Sequence, residues 1–176
     1  MTETRPAIVY LALGSNLGDR VGHLRSAKDA IGLIPGCTLR QCSSLFETPA
    51  WGSDTPQPDY LNAVIAIDTT LTPKQLWRCT SAIEQAQGRV RNAGKSAEKN
   101  AARTLDIDLL LYDALSMHTT HLTLPHPRMH VRKFVLQPLL EITPEINIPG
   151  FGSAADMLEK IVGDDARKVS HNSAWN

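Results

Sequence analysis

The order of its apolar segments is what most constrains the fold of this 176-residue chain. Residues 8–13, 60–69 and 105–112 are short, rich in branched side chains and bounded by turn-forming residues, a pattern typical of buried strands. Residues 38–48 have a weaker strand pattern. Because one helical pattern follows residues 8–13 and another follows residues 60–69, the predicted order is strand, helix, strand, strand, helix, strand.

Each of the two predicted helices begins at a capping residue. Asp19 is suited to accept hydrogen bonds from the first turn of the first helix. Thr72 and Gln75 have the spacing of a capping box, with Pro73 at the first helical position, and Gly88 ends this second helix. The predicted buried stripes are Val21, Leu24, Ala27 and Ile31, then Leu76, Cys79, Ile83 and Ala86.

This element order predicts a ferredoxin-like βαββαβ core of the α/β class, an α+β sandwich in which helices cover an antiparallel sheet. Two helices are expected to cover the sheet, and a further helix is predicted over residues 131–140. The length fits a single domain, residues 1–176, of which residues 163–176 are predicted to form a polar tail. Such folds host many functions, so the site needs its own argument.

Composition and charge argue against several classes of protein. The formal net charge is zero, which disfavours a broad nucleic-acid interface. No apolar run approaches the roughly 20 residues of a membrane span, and the N-terminus lacks a signal-peptide pattern, so a cytoplasmic protein is predicted. Cys37, Cys42 and Cys79 show no Cys-x-x-Cys spacing, which favours neither a disulfide framework nor a zinc site. We expect a monomer with no nucleic-acid and no membrane partner.

Two acidic residues share one face of the last predicted strand. The strand period of two directs Asp106 and Asp108 to the face opposite the apolar side chains of residues 105–109. Alternate Cα atoms lie roughly 6.6 to 6.8 Å apart, close enough for both carboxylates to bind one hard cation or two adjacent ones. Two like charges at this separation favour a metal partner, whereas the alternative is an acidic strand face exposed to solvent.

Basic residues surround this acidic pair in the sequence. Arg103 comes just before it, and Arg89 and Arg91 lie at the end of the preceding helix, so guanidinium groups are expected to converge near the carboxylates. Mg²⁺ bridging phosphate oxygens, with arginines around them, is the usual electrostatic arrangement for phosphoryl transfer. The alternative is a solvated basic loop. The sequence has no Walker A loop and no Gly-x-Gly-x-x-Gly motif, so a nucleotide must be held by another device.

A few residues are suited to contact an organic ligand. Tyr60 and Asn62 share one strand face, where they could stack on a flat heterocycle and hydrogen-bond its edge, or simply pack at the sheet edge. Trp51, in a proline-rich loop, fits a ligand contact and a packing role equally. His126 is fixed between two prolines near basic residues, which makes an anion contact an alternative to a structural role.

Several separate signatures together resemble one known family, the 6-hydroxymethyl-7,8-dihydropterin pyrophosphokinases of folate biosynthesis. Each signature is weak alone, but their combined order and spacing, over residues 9–145, is highly specific. They are Leu13 to Gly18 (LGSNLG), Thr48 to Gly52 (TPAWG), Gln57 to Asn62 (QPDYLN), Glu84 with Gly88 to Arg91 (GRVR), Arg103 to Asp108 (RTLDID) and Leu124 to Met129 (LPHPRM).

The resemblance implies a reaction and its partners. A diphosphate group would pass from ATP, the co-substrate, to the hydroxymethyl group of the dihydropterin, and AMP would be released. Two Mg²⁺ ions would bind Asp106 and Asp108, with Arg89 and Arg103 as further catalytic residues. The implied nucleotide contacts are Glu84, Arg89, Arg103, His126 and Arg132. The implied pterin contacts are Thr48, Pro49, Trp51, Tyr60, Asn62 and Phe134.

The segment between Arg91 and Arg103 departs from the family pattern. Many members have an aromatic residue and then Gly-Pro or Ala-Pro before the arginine, where this chain has Lys-Asn-Ala-Ala, and the segment is a few residues longer. We interpret it as a lid over ATP. Two other functions stay open. One is an RNA-binding module, which would need basic and aromatic residues interleaved on the sheet, and the other is an inactive relative that binds ATP or pterin only.

Overall fold

The computed structural model describes residues 5–50, 56–88, 102–163, 166–169 and 175. The core strands are β1 (Ala7–Ser15), β2 (Cys37–Cys42), β3 (Phe46–Thr48), β4 (Tyr60–Thr69) and β5 (Asp106–Tyr112). The helices between them are α1 (Arg20–Gly32) and α2 (Pro73–Ala86). Within the described ranges, no helix has the length and apolar character needed to cross a membrane.

The core strands form one antiparallel sheet with β1 at its centre. Strand β1 pairs with β4 along its whole length, from Ala7 opposite Thr69 to Ser15 opposite Leu61, and with β5 on its other side. The outer edge of β4 is shared, because β3 pairs with its first residues and β2 with its last. The order β5, β1, β4, then β2 and β3, confirms the ferredoxin-like arrangement.

The single strand predicted over residues 38–48 is wrong, because the chain forms two strands there. Ser43 lies between β2 and β3, and its backbone N–H donates to the Val64 carbonyl at 2.9 Å. The Ser43 hydroxyl oxygen accepts the Val64 N–H at 2.9 Å, so a side chain takes the place of a backbone acceptor and interrupts the ladder. A shift of register between Leu39 and Gln41 also breaks the regular pairing.

Helix α1 begins as predicted. The Asp19 carboxylate accepts the Gly22 N–H at 2.9 Å, which satisfies one of the donors left free at a helix start. Leu24, Ala27 and Ile31 are fully buried under the sheet. The predicted apolar stripe is therefore confirmed at these positions.

Helix α2 has the predicted capping box but a different buried stripe. Thr72 Oγ1 accepts the Gln75 N–H, and Gln75 Oε1 accepts the Thr72 N–H. Ala86, predicted to be buried, is exposed, and Ile83 is half-buried. Glu84 is buried instead, at 2% exposure, because its carboxylate binds a backbone N–H of β5.

Apolar cores cover both faces of the sheet, whereas two helices were predicted to cover it. The first core lies under α1 and α2 and contains the predicted strand residues Leu61, Ala63, Ile65 and Ile67. The second core contains Val64 and Ala66 and lies under α3 (Lys133–Ile142) and α4 (Ala154–Lys160). Helix α3 begins later than the predicted 131–140 because a 3-10 turn precedes it.

An irregularity in β5 divides its leucines between the two cores. Tyr10 pairs with Leu111 and Leu11 pairs with Leu109, so Leu110 is an extra residue between them. Leu109 lies in the first core, while Leu110 and Leu111 both lie in the second. The alternation before this bulge is regular, so the two aspartates at the start of β5 face the side of the sheet that α3 covers.

Two short hairpins connect the later elements. Strand β6 (Met117–His118) pairs with β7 (Thr123–Leu124), and β8 (Asn147–Ile148) pairs with β9 (Gly152–Ser153). Strand β7 is the extended segment predicted before Pro125, and the peptide bond that leads into this proline is cis. After the first hairpin, the backbone N–H of His126 donates to the Leu110 carbonyl at the edge of β5.

The segment predicted as a polar tail contributes to the sheet and to the core where the structure describes it. Strand β10 (Arg167–Lys168) pairs with β3, and Trp175 is 2% exposed in the first core. The Trp175 indole N–H donates to the Ser43 carbonyl at 2.8 Å. Lys28 lies over the ring at 4.7 Å and donates to the Trp175 carbonyl oxygen. These contacts anchor the end of the chain to α1 and to the gap between β2 and β3.

Trp175→Ala is expected to destabilise the protein by about 3 to 5 kcal/mol, because it removes a buried ring and leaves a cavity. Trp175→Phe keeps much of the apolar volume but leaves the Ser43 carbonyl without its donor, so a loss of about 1 to 2 kcal/mol is expected. Urea unfolding followed by circular dichroism measures both free energies. Losses below about 1 kcal/mol for both variants would contradict a buried anchor.

Candidate functional site

A cavity of about 560 Å³ opens on the second face of the sheet, beside the first turn of α3. Small residues of β1, Ala12 and Gly14, form its floor between β4 and β5. In one row across the sheet, Gly14 pairs with Asn62 of β4 and with Asp106 of β5. A Cβ atom on Gly14 would lie only 3.3 Å from Asn62 Oδ1. The glycine therefore keeps open the floor between two polar side chains.

One half of this cavity is neutral. Its side chains come from the end of β3, from β4 and from α3, and they are Thr48, Pro49, Tyr60, Asn62 and Phe134. The β3–β4 register places Thr48 opposite Tyr60. Asn62 Nδ2 donates to Thr48 Oγ1 at 2.9 Å, so Nδ2 faces β3 while Oδ1 faces Gly14. The structure thus brings together residues that the family resemblance assigned to the pterin, Tyr60 and Asn62 among them.

The other half of the cavity is charged. Its side chains are Arg103, Asp106, Asp108, His126, Arg128 and Arg132. Arg103 Nη1 lies 3.1 Å from Asp106 Oδ1, and Arg132 Nη1 lies 3.8 Å from Asp108 Oδ2. Since three guanidinium groups face two carboxylates, this half carries net positive charge even when both aspartates are ionised. Arg128 was noted in the sequence only as a neighbour of His126, and the structure adds it to the cavity.

The titration of Asp108 depends on its surroundings, Asp106 included. Burial raises the pKa of Asp108 to about 7, and the nearby charge of Asp106 contributes to that rise, against the opposing effect of Arg132. Among the described residues, no group of three or more His, Cys, Asp and Glu is arranged to hold a metal. The carboxylate pair therefore fits a hard divalent cation whose other ligands would be water or substrate oxygens. Such a cation would also relieve the repulsion between the two carboxylates.

His126 is held with a defined tautomer. Its backbone N–H donates to the Leu110 carbonyl at 2.9 Å, which fixes it to the edge of β5. Burial and the charges of Arg132 and Arg128 lower its pKa to about 4, so the imidazole is neutral at pH 7. Because Nδ1 accepts the Arg128 N–H at 3.2 Å, the ring proton lies on Nε2, which is 3.7 Å from Asp108 Oδ2. The ring therefore presents a neutral N–H donor to the charged half.

Glu84 lies behind β5 and is not one of the described residues that line the cavity. Its Oε1 accepts the Ile107 N–H at 2.7 Å, at the residue between the two aspartates. The Glu84 charge also contributes to the raised pKa of Asp108. In this position Glu84 holds the strand that carries both carboxylates.

Asn16 joins three segments around the cavity, and the sequence marked it only as part of a turn signature. It is 1% exposed, and its Oδ1 accepts the Arg103 N–H at 2.8 Å. Its own N–H donates to the Arg103 carbonyl at 3.1 Å, and its Nδ2 donates to Gln57 Oε1 and the Pro58 carbonyl. An amide side chain can donate and accept hydrogen bonds, so it is suited to join segments in this way. Its position directly after a buried strand is the sequence signal that could have identified Asn16.

Several predicted site residues lie outside the described residues. They include Trp51, Arg89 and Arg91. The segment interpreted as a lid, residues 92–102, also lies outside them, apart from residue 102. Their assigned roles stay predictions.

Asp108→Asn is expected to stabilise the metal-free protein at pH 8 by about 1 to 2 kcal/mol, after allowance for partial exposure. A carboxyl whose pKa rises from 3.8 to about 7 on folding destabilises the fold progressively between those pH values, and the amide removes this penalty. The difference should vanish near pH 4 and reach a plateau above pH 7.

Thermal unfolding in EDTA from pH 4 to pH 8 measures this difference. Added Mg²⁺ should raise the midpoint of the natural protein more than that of the variant. A stability difference independent of pH would contradict the raised pKa.

Comparison with known proteins gives a consistent result. The family model described as 7,8-dihydro-6-hydroxymethylpterin-pyrophosphokinase (HPPK) matches residues 10–144. A 2-amino-4-hydroxy-6-hydroxymethyldihydropteridine pyrophosphokinase of Methylorubrum extorquens is 42% identical over 141 residues, covering 80% of this chain and 85% of the relative. The protein of the same name from Haemophilus influenzae is 41% identical over 161 residues, covering 92% and 97%.

A solved structure supports the fold. An HPPK-DHPS protein in complex with substrates matches 89% of this chain with a TM-score of 0.69 at 12% sequence identity. This chain spans 43% of that protein's length. At this identity the match bears on the fold alone, and it agrees with the βαββαβ arrangement described above.

Proposed function

This chain belongs to the 7,8-dihydro-6-hydroxymethylpterin-pyrophosphokinase family, and we propose that it transfers diphosphate from ATP to 6-hydroxymethyl-7,8-dihydropterin in folate biosynthesis. One observation carries the proposal: a single cavity has a neutral half with an oriented amide and a positive half with paired carboxylates. In the reaction the hydroxymethyl oxygen bonds to the β-phosphorus. The bond from that phosphorus to the α-phosphate oxygen breaks, and AMP leaves.

The neutral half suits a pterin in shape and in hydrogen bonding. Tyr60 on the sheet and Phe134 on α3 offer aromatic rings from two different elements. The bond from Asn62 to Thr48 directs Asn62 Oδ1 into position to accept from an N–H at the pterin edge. Because Gly14 has no side chain, a flat ring can approach the backbone of β1. Trp51 is proposed as a further pterin contact from the family pattern.

The charged half suits the triphosphate of ATP. The guanidinium groups of Arg103 and Arg132 would donate to phosphate oxygens, with Arg128 beside them. Asp106 and Asp108 would hold two Mg²⁺ ions, which would supply positive charge to offset the negative charge that develops on transfer. Arg89 is proposed as a further nucleotide contact from the family pattern, whereas Glu84, which the pattern also assigned to the nucleotide, lies behind β5 and holds that strand.

His126 is suited to donate and unsuited to act as a base. An imidazole with a pKa of about 4 takes up a proton poorly at neutral pH, and its Nε2–H is directed toward the charged half. We therefore assign it a hydrogen bond to a phosphate oxygen. The charged half promotes transfer by positioning and charge neutralisation, and the proton of the hydroxymethyl group can leave to solvent.

An RNA-binding role fits the structure less well. Proteins that bind single-stranded RNA on a sheet of this kind use an open face with stacked aromatic residues. Here α3 and α4 cover much of that face, and the uncovered part carries Asp106 and Asp108.

A single chain supplies both halves of the cavity, which supports a monomer as the active unit. The small dissolved substrates suit the cytoplasm.

Incubation of the protein with ATP, Mg²⁺ and 6-hydroxymethyl-7,8-dihydropterin is expected to release AMP and the pterin diphosphate. Omission of the pterin or of Mg²⁺ should abolish AMP release. Liquid chromatography of the adenine nucleotides measures the products. Release of ADP would contradict diphosphate transfer, and absence of turnover with intact ATP binding would indicate an inactive relative.

Asp106→Asn and Asp108→Asn should each lower kcat by at least about 100-fold, since each removes a charge that a bound cation needs. The fold should persist, with an unchanged far-ultraviolet circular dichroism spectrum. Activity within tenfold of the natural protein in either variant would remove the assignment of metal ligands.

Gly14→Val is expected to weaken binding of the pterin by at least about tenfold, because a side chain at the cavity floor meets Asn62 Oδ1. Gly32→Ala is a matched control, because its Cβ would meet only Leu39 at an ordinary 4.0 Å. Isothermal titration with the pterin and an ATP analogue measures both affinities. Equal pterin affinities in the two variants would contradict the assigned floor.

A further inference from the structure

Arg20 occupies a position that local helix preferences disfavour. It is the first residue of α1, where the aligned peptide dipoles repel a positive charge, and no acidic residue lies in this first turn. A residue that breaks a local preference commonly serves a contact elsewhere in the fold. The contacts of Arg20 therefore indicate why a positively charged residue occupies the first position of α1.

Among the described residues, the Arg20 guanidinium makes two hydrogen bonds, and both acceptors lie next to the neutral half of the site. Nη1 donates to Glu47 Oε1 at 2.8 Å and to the Asp59 carbonyl oxygen at 2.8 Å. The Arg20 and Glu47 side chains are 30% and 24% exposed, so solvent screens this ion pair only in part. One nitrogen thus joins a side chain on β3 to the backbone just before β4.

These two acceptors are next to residues that line the cavity. Glu47 precedes Thr48 on β3, and Asp59 precedes Tyr60 on β4. Thr48 and Tyr60 are paired across the two strands, and both line the neutral half. Because successive strand residues face opposite sides, the Glu47 carboxylate lies on the face away from the cavity. Arg20 therefore holds this pair from behind the sheet.

We propose that Arg20 is a positioning residue for the neutral half of the site, which is the half proposed to bind the pterin. By joining Glu47 to the Asp59 carbonyl, it fixes the separation of the two strand ends and with it the places of Thr48 and Tyr60. This inference rests on the proposed function, because the affected ligand is the pterin. Both Arg20 acceptors directly precede residues of the neutral half in the sequence, so the effect should fall on pterin binding and spare ATP.

Arg20→Met removes both hydrogen bonds and leaves Glu47 with its second cation, since Arg167 Nη2 lies 3.3 Å from Glu47 Oε2. Arg20→Lys keeps the charge and tests partial rescue. The control is Arg40→Met, which breaks an ion pair between β2 and β4 in the same sheet, Arg40 Nη1 to Asp68 Oδ1 at 3.1 Å. Arg40 and Asp68 lie at the other end of β4 from Thr48 and Tyr60.

In steady-state assays of AMP release, Arg20→Met is expected to raise KM for the pterin about tenfold, because small displacements of positioning groups are costly. KM for ATP should stay within about twofold of the natural value, Arg20→Lys should fall between the natural protein and Arg20→Met, and Arg40→Met should leave both KM values unchanged. Isothermal titration of 6-hydroxymethyl-7,8-dihydropterin should show the same loss of affinity.

Two results would overturn the proposal: an unchanged KM for the pterin in Arg20→Met, or equal increases of both KM values. If Arg20→Met does not fold, the same criteria apply to Arg20→Lys. Failure of the proposed function is a separate outcome, because the natural protein itself would then release no AMP. Titration with the pterin needs no turnover and decides the positioning role independently.

Discussion

The pairing of β1 with both of its neighbours is the constraint on which the site depends. This strand is apolar on both faces and pairs without interruption along β4, so its register fixes which residues meet across the sheet. A slip of one residue would turn Asn62 away from the cavity and direct its apolar neighbours into it. The same register brings Gly14 between Asn62 and Asp106, where the strand needs its smallest residue. Fold and site are therefore determined by one set of backbone hydrogen bonds.

Electrostatic repulsion shapes the charged half of the site, because the geometry of β5 brings two carboxylates together. Alternate strand positions hold Asp106 and Asp108 close together, and partial burial of Asp108 reduces the solvent that would screen its charge. Arg132 and Arg103 favour the ionised form of Asp108, but burial first and the charge of Asp106 second keep its pKa raised. The metal-free protein thus carries an electrostatic penalty that a hard cation would relieve. A site that is destabilised when empty gains more from its ligand.

The sequence predicted the parts of the fold that repeat locally. Strand alternation identified the face of Asp106 and Asp108, and capping residues identified both core helices. It failed where a contact joins distant segments. The Ser43 side chain replaces a backbone acceptor opposite Val64. Trp175 donates a hydrogen bond to the Ser43 carbonyl, which is 132 residues away in the sequence. The second core was missed because an apolar strand pattern does not show whether one face or both are covered.

The division of the cavity separates two problems of recognition that require different physics. A neutral, flat ligand is selected by shape and by an amide whose orientation is fixed beforehand, which is why the Asn62–Thr48 bond and the bare Gly14 matter. A highly charged ligand is selected by the balance of guanidinium groups, carboxylates and cations, which tolerates looser geometry. The narrow floor on β1 keeps these two environments adjacent, so that a neutral hydroxyl can meet a charged phosphate at their boundary. Residues that hold the strands around this floor, Asn16 and Arg20 among them, are therefore proposed to affect catalysis without lying in the cavity.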